Sequence, residues 1–428
     1  MQLTKREDKI TGEVSYFGKH ESGLEVYIMP KKDYSKGYAL FGTRYGSVDS
    51  HFIVPGESEA TNVPDGIAHY LEHKMFDQPD GTNAFDEFAR LGANANAFTS
   101  FNMTAYLFSA TANFYESLAH LLKYVQSPHF TPESVEKEQG IIGQEIKMYD
   151  DNAGWMVFFN MLECMYHNHP VKLNIAGTVE SISHITSDLL YKCYNTFYNL
   201  SNMTLVVAAD IDVEKAVSVI EESILKSEPK DKITHIYPEE PDTVAKEYKE
   251  ISLSISQPLM MMGFKDIDVG YAGDRLLKKS IEMDILLEMI FGKSGKLYNE
   301  LYESGLINNS FEYEYTMQPD YAYTSLASES KEPKKLYDAI LAHIDLLNKE
   351  GLCEKDFERM KKVVWGDYIR SFNDVENYAH GVMTLLFKDI DYTHYFDVYQ
   401  TITFDDVVKR FKEHFARERA VLSVVNPV

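Results

Sequence analysis

The chain has 428 residues, of which 44% are hydrophobic and 13% aromatic, which is enough for more than one buried core and argues against disorder. Its formal net charge of −24 argues against nucleic-acid binding, because that function needs a basic surface. No stretch approaches the roughly 18 uninterrupted apolar residues of a membrane-spanning helix, so we expect no membrane insertion.

Two features predict a cytoplasmic protein. The first twenty residues, MQLTKREDKITGEVSYFGKH, are polar and charged and contain no apolar segment of the kind found in secretory signals. The three cysteines, Cys164, Cys193 and Cys353, are far apart and odd in number. This argues against a disulfide framework and fits a reducing compartment.

The first half of the chain mixes predicted strands and helices. Apolar runs predict strands at 24–29, 37–45, 93–100, 105–110 and 203–209. Amphipathic spacing predicts helices at 115–127 and 133–149. Strands grouped in a meander, with helices packed on one face, predict an α+β fold built as an α/β sandwich.

The segment GIAHYLEHKMF, residues 66 to 76, carries two histidines and a glutamate on a predicted helix. Its apolar residues recur at helical spacing, and Asp65 just before it is a candidate N-cap. His69 and His73 are one turn apart on one side of the helix, and Glu72 shares that side.

Two interpretations fit this pattern. The histidines could be ordinary core or surface residues beside a carboxylate. Alternatively, the spacing is the H-x-x-E-H motif of inverted zincins, in which the histidines bind zinc and the glutamate activates water. Only the rest of the chain can decide between them.

A catalytic zinc site usually has three protein ligands, so a third ligand is needed. The predicted helix that follows Thr131 and Pro132 offers Glu138 and Glu145, which are seven residues apart and share one face. Periodicity alone leaves Glu145 as either a solvated helix residue or a ligand.

The second half repeats the first. FDEFARLG at 85 to 92 resembles YNELYESG at 298 to 305, and each half ends near a buried strand. Helices are predicted at 335–349 and 354–370. We therefore predict a first domain with the histidine motif at 1–225, a Pro-rich and charged linker at 226–243, and a homologous domain at 244–428. In that second domain Asp284, Leu287 and Glu288 replace the motif residues, so it should not bind zinc in the same way.

Taken together, the chain resembles the pitrilysin, insulysin and mitochondrial processing peptidase family of zinc metallopeptidases, as a half-size, two-domain bacterial member. The resemblance rests on H-x-x-E-H at 69 to 73, the glutamate pair, GANANAFTS at 92 to 100, HPVKLNIAGTVESI at 169 to 182 and SNMTLVVAADID at 201 to 212.

The resemblance implies a role for each site residue. His69, His73 and Glu145 match the family's ligands for one Zn²⁺ per chain, and Glu72 matches the catalytic base. Glu138 matches a second acidic residue near the metal, which the resemblance places with Glu72 among the catalytic residues and which would orient a ligand. A substrate peptide would add to the strand in GANANAFTS, with Asn96 and Ala97 binding its backbone and Phe98 lining a pocket beyond the scissile bond.

The resemblance also implies a second active-site region that carries an Arg and a Tyr. Here Tyr302 stands at the Arg position, and Asn308 or Asn309 at the Tyr position. The departure favours a heterodimer with a homologous subunit that lacks H-x-x-E-H, and the alternative is a homodimer in which Tyr313 or Tyr315 substitutes.

The implied function is a zinc-dependent endopeptidase that hydrolyses short or unfolded peptides, in peptide processing. The alternative is a peptide-binding or scaffold subunit of a larger assembly with little activity of its own. The intact set of His69, Glu72, His73 and Glu145 favours the enzyme.

Overall fold

A computed structural model describes residues 1–8 and 10–428 and divides them into two compact units. Unit 1 comprises residues 1–147, 173–237 and 371–384, and unit 2 comprises residues 148–172, 238–370 and 385–428. Each unit is therefore assembled from three separate segments, whereas the prediction gave two continuous ranges, 1–225 and 244–428. Each half of the sequence gives one segment to the other unit.

The strands follow one another along the chain as β1 (Leu3–Glu7), β2 (Val14–Lys19), β3 (Glu25–Pro30), β4 (Gly37–Thr43), β5 (His51–Ile53), β6 (Ala60–Asn62), β7 (Asn94–Thr99), β8 (Thr104–Ala110), β9 (Met203–Ala209), β10 (Thr234–His235), β11 (Tyr248–Leu253), β12 (Leu259–Asp266), β13 (Glu312–Met317), β14 (Ala322–Glu329) and β15 (Ala420–Pro427).

The α-helices are α1 (Ile67–Lys74), α2 (Ala84–Leu91), α3 (Phe114–Val125), α4 (Pro132–Asp150), α5 (Ala153–Met165), α6 (Val179–Ile182), α7 (Ser187–Phe197), α8 (Val213–Ser223), α9 (Asp274–Phe291), α10 (Lys296–Glu303), α11 (Pro333–Glu350), α12 (Glu354–Ser371), α13 (Val375–Leu386), α14 (Tyr395–Thr401) and α15 (Phe404–His414). Every strand and helix predicted above is present, with ends that differ by at most a few residues.

Unit 1 is built on a seven-stranded sheet in the order β1-β2-β3-β9-β4-β8-β7. β3 and β9 run parallel, and the other neighbouring pairs are antiparallel. All residues of the central strands β4 and β9 are buried, which explains why both read as nearly continuous apolar runs. β7 pairs with β8 and forms one edge of the sheet.

Both faces of this sheet are covered. A Cβ at Gly37 would lie 2.7 Å from the Phe114 ring, so this face of β4 packs against α3. On the opposite face the Tyr38 hydroxyl lies 2.6 Å from Nε2 of His380, on α13. The segment that unit 1 receives from the second half of the sequence therefore supplies a helix for the second face.

Unit 2 repeats this arrangement on a five-stranded sheet in the order β11-β15-β12-β14-β13. Met260, Met262 and Phe264 on β12 join a large apolar core with α9, α11 and α15. On the other face a Cβ at Gly263 would meet Met165 of α5 at 2.5 Å, so this face packs closely against α5. α5 is the segment received from the first half of the sequence.

The predicted linker, 226–243, is only partly irregular. It contains β10, which pairs with β5 in a separate three-stranded sheet of order β10-β5-β6. Among the described residues, no helix is both long and apolar enough to cross a lipid bilayer. All three cysteines are free thiols, and the cytoplasmic location stays a prediction.

Candidate metallopeptidase active site

α1 carries the two histidines of the motif and is buried on almost all sides. Its N-cap is Gly66, with φ of 89°, and not the predicted Asp65. The helix is tied directly to α4, because the Tyr70 hydroxyl donates to the Val135 carbonyl and Lys74 Nζ donates to the Ser134 carbonyl at 3.2 Å.

α4 brings the predicted third ligand to the histidines. Its N-terminus is capped by Thr131, whose Oγ1 accepts from the Ser134 amide at 3.1 Å. The Glu145 carboxylate oxygens lie 3.7 Å from His69 Nε2 and 3.3 Å from His73 Nε2. His69, His73 and Glu145 form one group, with ligand atoms that all lie within 4.8 Å of one another.

These three residues fit a zinc ion. The ligand atoms of a tetrahedral zinc, about 2.0 to 2.2 Å from the metal, lie roughly 3.3 to 3.5 Å from one another, close to the separations found here. Two imidazoles and one carboxylate are also a common ligand set of catalytic zinc, which keeps a fourth position open for water.

Glu138 lies beside this group and contacts one of its histidines. Its Oε1 is 3.1 Å from Nδ1 of His73, the ring nitrogen that faces away from Glu145. Such a contact orients an imidazole and makes its other nitrogen a stronger ligand. On His69 the corresponding Nδ1 is buried and has no hydrogen-bond partner in the described part of the chain. Glu138 thus supports His73 alone, and its catalytic role stays a prediction.

The charges of the metal-free site differ between the two histidines. Burial and the neighbouring His73 lower the pKa of His69 to about 4. Burial opposes protonation of His73 as well, but hydrogen bonds to Glu138 and Glu145 outweigh it and raise its pKa to about 10. A metal cation that binds here takes the place of the proton on His73.

Glu72 is buried on α1, with 8% of its surface exposed. Thr99 on β7 donates from Oγ1 to Glu72 Oε2 at 2.6 Å. Burial raises the pKa of Glu72 to about 7, against the opposing effect of this hydrogen bond. A carboxyl group with a pKa near neutrality suits proton transfer in both directions.

Thr99 is a site residue that the sequence reasoning missed. It lies in GANANAFTS, where alternation places Ala95, Ala97 and Thr99 on one face of the strand. The available signal in the sequence was this alternation, in which Thr99 is the polar residue on a face that otherwise carries the small Ala95 and Ala97.

The predicted peptide-binding residues lie on the edge strand β7. The Ala97 amide donates to Asn96 Oδ1 at 2.9 Å, a local bond that an added strand would replace. Phe98 is on the face opposite to Thr99, and its ring stacks on His380 with centroids 5.3 Å apart. Substrate binding by Asn96, Ala97 and Phe98 stays a prediction.

The corresponding helix of unit 2, α9, carries Asp284 and Glu288 in place of the histidines. Glu288 Oε1 accepts a hydrogen bond from the Tyr313 hydroxyl at 2.7 Å. No metal-ligand group was found among the described residues of this unit.

Comparison with known proteins agrees with this geometry. Residues 52–179 match the family described as insulinase (peptidase family M16), and residues 184–364 match the family described as peptidase M16 inactive domain. A Bacillus subtilis protein described as the uncharacterized zinc protease YmfH is 41% identical over 97% of both chains.

Two solved structures extend the likeness. The structure of an M16-like peptidase from Alicyclobacillus acidocaldarius has a TM-score of 0.92 and 35% identity, over 100% of this chain and 99% of that one. A protease from Helicobacter pylori shares the fold, with a TM-score of 0.79 at 19% identity over 96% and 99% of the two chains. The chain belongs to the M16 family of zinc peptidases, as a half-size member with two homologous domains.

Proposed function

We propose that this protein is a zinc-dependent endopeptidase that hydrolyses peptide bonds in short or unfolded peptides. The observation that carries the proposal is the convergence of His69, His73 and Glu145 beside Glu72. Relatives described as zinc proteases support it. One Zn²⁺ per chain is the expected metal content.

The chain's residues would divide the reaction among them. Zinc held by His69, His73 and Glu145 would supply Lewis acidity, which polarises a carbonyl and makes a water molecule acidic near neutral pH. Glu72 takes the proton of the attacking water and passes it to the leaving amine. Thr99 donates to Oε2 of Glu72 and so holds the carboxylate in one orientation for this proton transfer.

Peptide binding would occur at β7, the edge of the sheet in unit 1. An extended peptide adds to such an edge through main-chain hydrogen bonds, which accept many sequences. This mode suits flexible peptides, because most of the backbone of a folded protein is already paired and is not free to add to a strand edge. Asn96 and Ala97 would bind the peptide backbone, and Phe98 would contact a side chain.

The test is the metal content of the purified chain combined with hydrolysis of an unstructured peptide. We expect about one zinc per chain and cleavage that stops when a chelator removes the metal. A chain that binds zinc and retains peptide without cleaving it would instead be the peptide-binding subunit of a larger assembly.

We further propose a heterodimer with a homologous subunit. Tyr302, at the position where the family resemblance implies Arg, is 49% exposed and carries no cationic group. Asn308 donates to Glu329 at 3.0 Å. The two tyrosines that could substitute in a homodimer are engaged, because Tyr313 donates to Glu288 and the buried Tyr315 donates to Asp266 at 2.8 Å.

Co-expression with a homologue that lacks H-x-x-E-H but retains the Arg and Tyr tests this pairing. We expect peptidase activity about 10²-fold or more above that of the single chain, since a missing oxyanion donor costs about that much. Full activity of the single chain would exclude the pairing and leave the peptidase proposal intact.

A further inference from the structure

The segment 174–182, NIAGTVESI, contacts the entry to α1 and also α4, the two helices that supply the ligand group. It belongs to one of the sequence runs on which the family resemblance rests, and none of its residues is among the proposed ligands or the base. We propose that this segment is a brace that sets the separation of α1 and α4 and thereby fixes the geometry of the three metal ligands. The inference rests on the proposed zinc site.

The first contact of the brace is a close approach of two backbones. A Cβ at Gly66, the N-cap of α1, would lie 2.4 Å from the Ala176 carbonyl oxygen. A Cβ at Gly177 would lie 2.5 Å from the Asp65 carbonyl oxygen. Both glycines have positive φ, 89° and 72°, so neither position tolerates a side chain without movement.

The second contact is a side-chain hydrogen bond to the same entry. Ser181 Oγ donates to the Asp65 carbonyl at 2.9 Å, one residue before the N-cap of α1. Ser181 is itself held in place, because its amide donates to Thr178 Oγ1 at 3.0 Å and its Oγ accepts from the Thr178 amide at 2.9 Å. The hydroxyl that bonds the entry to α1 is therefore itself part of the capping box that begins α6.

The third contact reaches the other helix. Gln139 Nε2 on α4 donates to the Ile182 carbonyl at 3.2 Å, and Ile182 is 1% exposed. Gln139 follows Glu138, which contacts His73. The direct bonds from α1 to Ser134 and Val135 fix the beginning of α4. The bond at Gln139 therefore adds a contact that lies nearer to Glu145 along the helix.

This additional contact with α4 matters because metal affinity depends on the spacing of the ligands. Glu145 lies 3.7 Å from His69 and 3.3 Å from His73 because α1 and α4 pack at this distance from each other. A site whose supporting shell lets a ligand drift by about 1 Å loses its function. The brace acts through the helices, so its residues are positioning residues and touch neither metal nor substrate.

The experiment removes both side-chain contacts of the brace in the full chain. The variant Ser181→Ala/Gln139→Leu loses the bonds to Asp65 and Ile182. Its matched control is Ser183→Ala/Gln144→Leu, because Ser183 bonds only the Glu180 carbonyl of its own short helix in the described contacts and Gln144 is exposed on α4. The zinc dissociation constant of each is measured by competition with a chelator, on protein shown by circular dichroism to be folded.

We expect the brace variant to bind zinc about 10-fold more weakly than the parent, a loss typical of outer-shell changes, and the control to bind like the parent. Ser181→Thr, which keeps the hydroxyl, should bind like the parent when introduced alone. Equal zinc affinity of the brace variant, the control and the parent would overturn the brace and leave the zinc site standing. A parent chain that binds no zinc would overturn the proposed function, and the brace with it.

A second variant tests the close packing around Gly177. Gly177→Ala adds a Cβ 2.5 Å from the Asp65 carbonyl oxygen and 2.7 Å from Ser181 Oγ, whereas Gly12→Ala has the same φ of 72° and meets no atom within 4 Å. We expect weaker zinc binding only for Gly177→Ala. Unchanged affinity in a folded Gly177→Ala protein would contradict the close approach as part of the brace.

Discussion

Thr99 donates a hydrogen bond to the carboxylate of Glu72, with 2.6 Å between the two oxygens. The donor comes from the edge strand β7 and the acceptor from the helix that carries the histidines. Thr99 Oγ1 also lies 3.3 Å from Thr104 Oγ1. The proposed base is therefore oriented by the same strand that would receive the peptide.

Removing this hydroxyl should impair turnover and spare the metal. We expect Thr99→Val to lower kcat by about 10-fold or more, the usual range for a hydrogen bond to a charged group, with unchanged zinc content. Thr99→Ser, which keeps the hydroxyl, should restore most of kcat. Steady-state kinetics on one peptide, with zinc measured on the same samples, checks both statements. Equal kcat for Thr99→Val and the parent would contradict the orienting role.

Replacing the base should separate binding from chemistry. Glu72→Gln keeps the shape of the side chain but removes the proton acceptor, so kcat should fall by roughly 10²-fold or more. Zinc and peptide should still bind, as measured by metal analysis and by peptide titration. Near-normal hydrolysis by Glu72→Gln would eliminate the assigned role.

The ligands and the neighbouring Glu138 should differ in the size of their effects. His69→Ala, His73→Ala and Glu145→Ala should each abolish tight zinc binding, because each removes one of three ligands. Glu138→Gln should weaken it by only about 10- to 100-fold, as expected for a residue that supports a ligand. His184→Ala, at an exposed position, is the control. Full zinc in the His69/His73 double variant would mean that the metal lies elsewhere.

The stability of unit 2 should depend on pH through His414. Burial lowers the pKa of His414 and outweighs the opposing effect of Asp266, which lies 3.2 Å from its Nδ1. The charges of Lys279 and Arg419 lower this pKa further. The Thr324 hydroxyl lies 2.7 Å from Nε2 of the same ring. The unfolded chain protonates this histidine near pH 6.5 and the folded chain only at lower pH. Stability should therefore fall as pH decreases below about 6.5.

Replacing the ring isolates that contribution. His414→Asn cannot take up the proton, so its unfolding free energy should change less between pH 7 and pH 5 than that of the parent. Denaturant unfolding at the two pH values measures this, and His184→Asn is the exposed control. The same pH dependence in His414→Asn and in the parent would show that another group is responsible.

The sequence predicted those parts of the fold and site that local pattern determines. The spacing of His69, Glu72 and His73 places them together on one helix, and apolar runs locate β4 and β9. Glu145 could not be identified by periodicity, because its approach to the histidines depends on how α4 packs on α1. The sequence also did not predict that α5 packs in unit 2 and α13 in unit 1, because nothing in the local pattern of a helix indicates which sheet it covers.

The most direct measurement of the central claim is hydrolysis of an unstructured peptide by the zinc-loaded chain, alone and with a homologous partner. The account predicts cleavage that stops on chelation, returns when zinc is restored, and is absent from Glu72→Gln under every condition. Cleavage that persists without metal and in Glu72→Gln would contradict it.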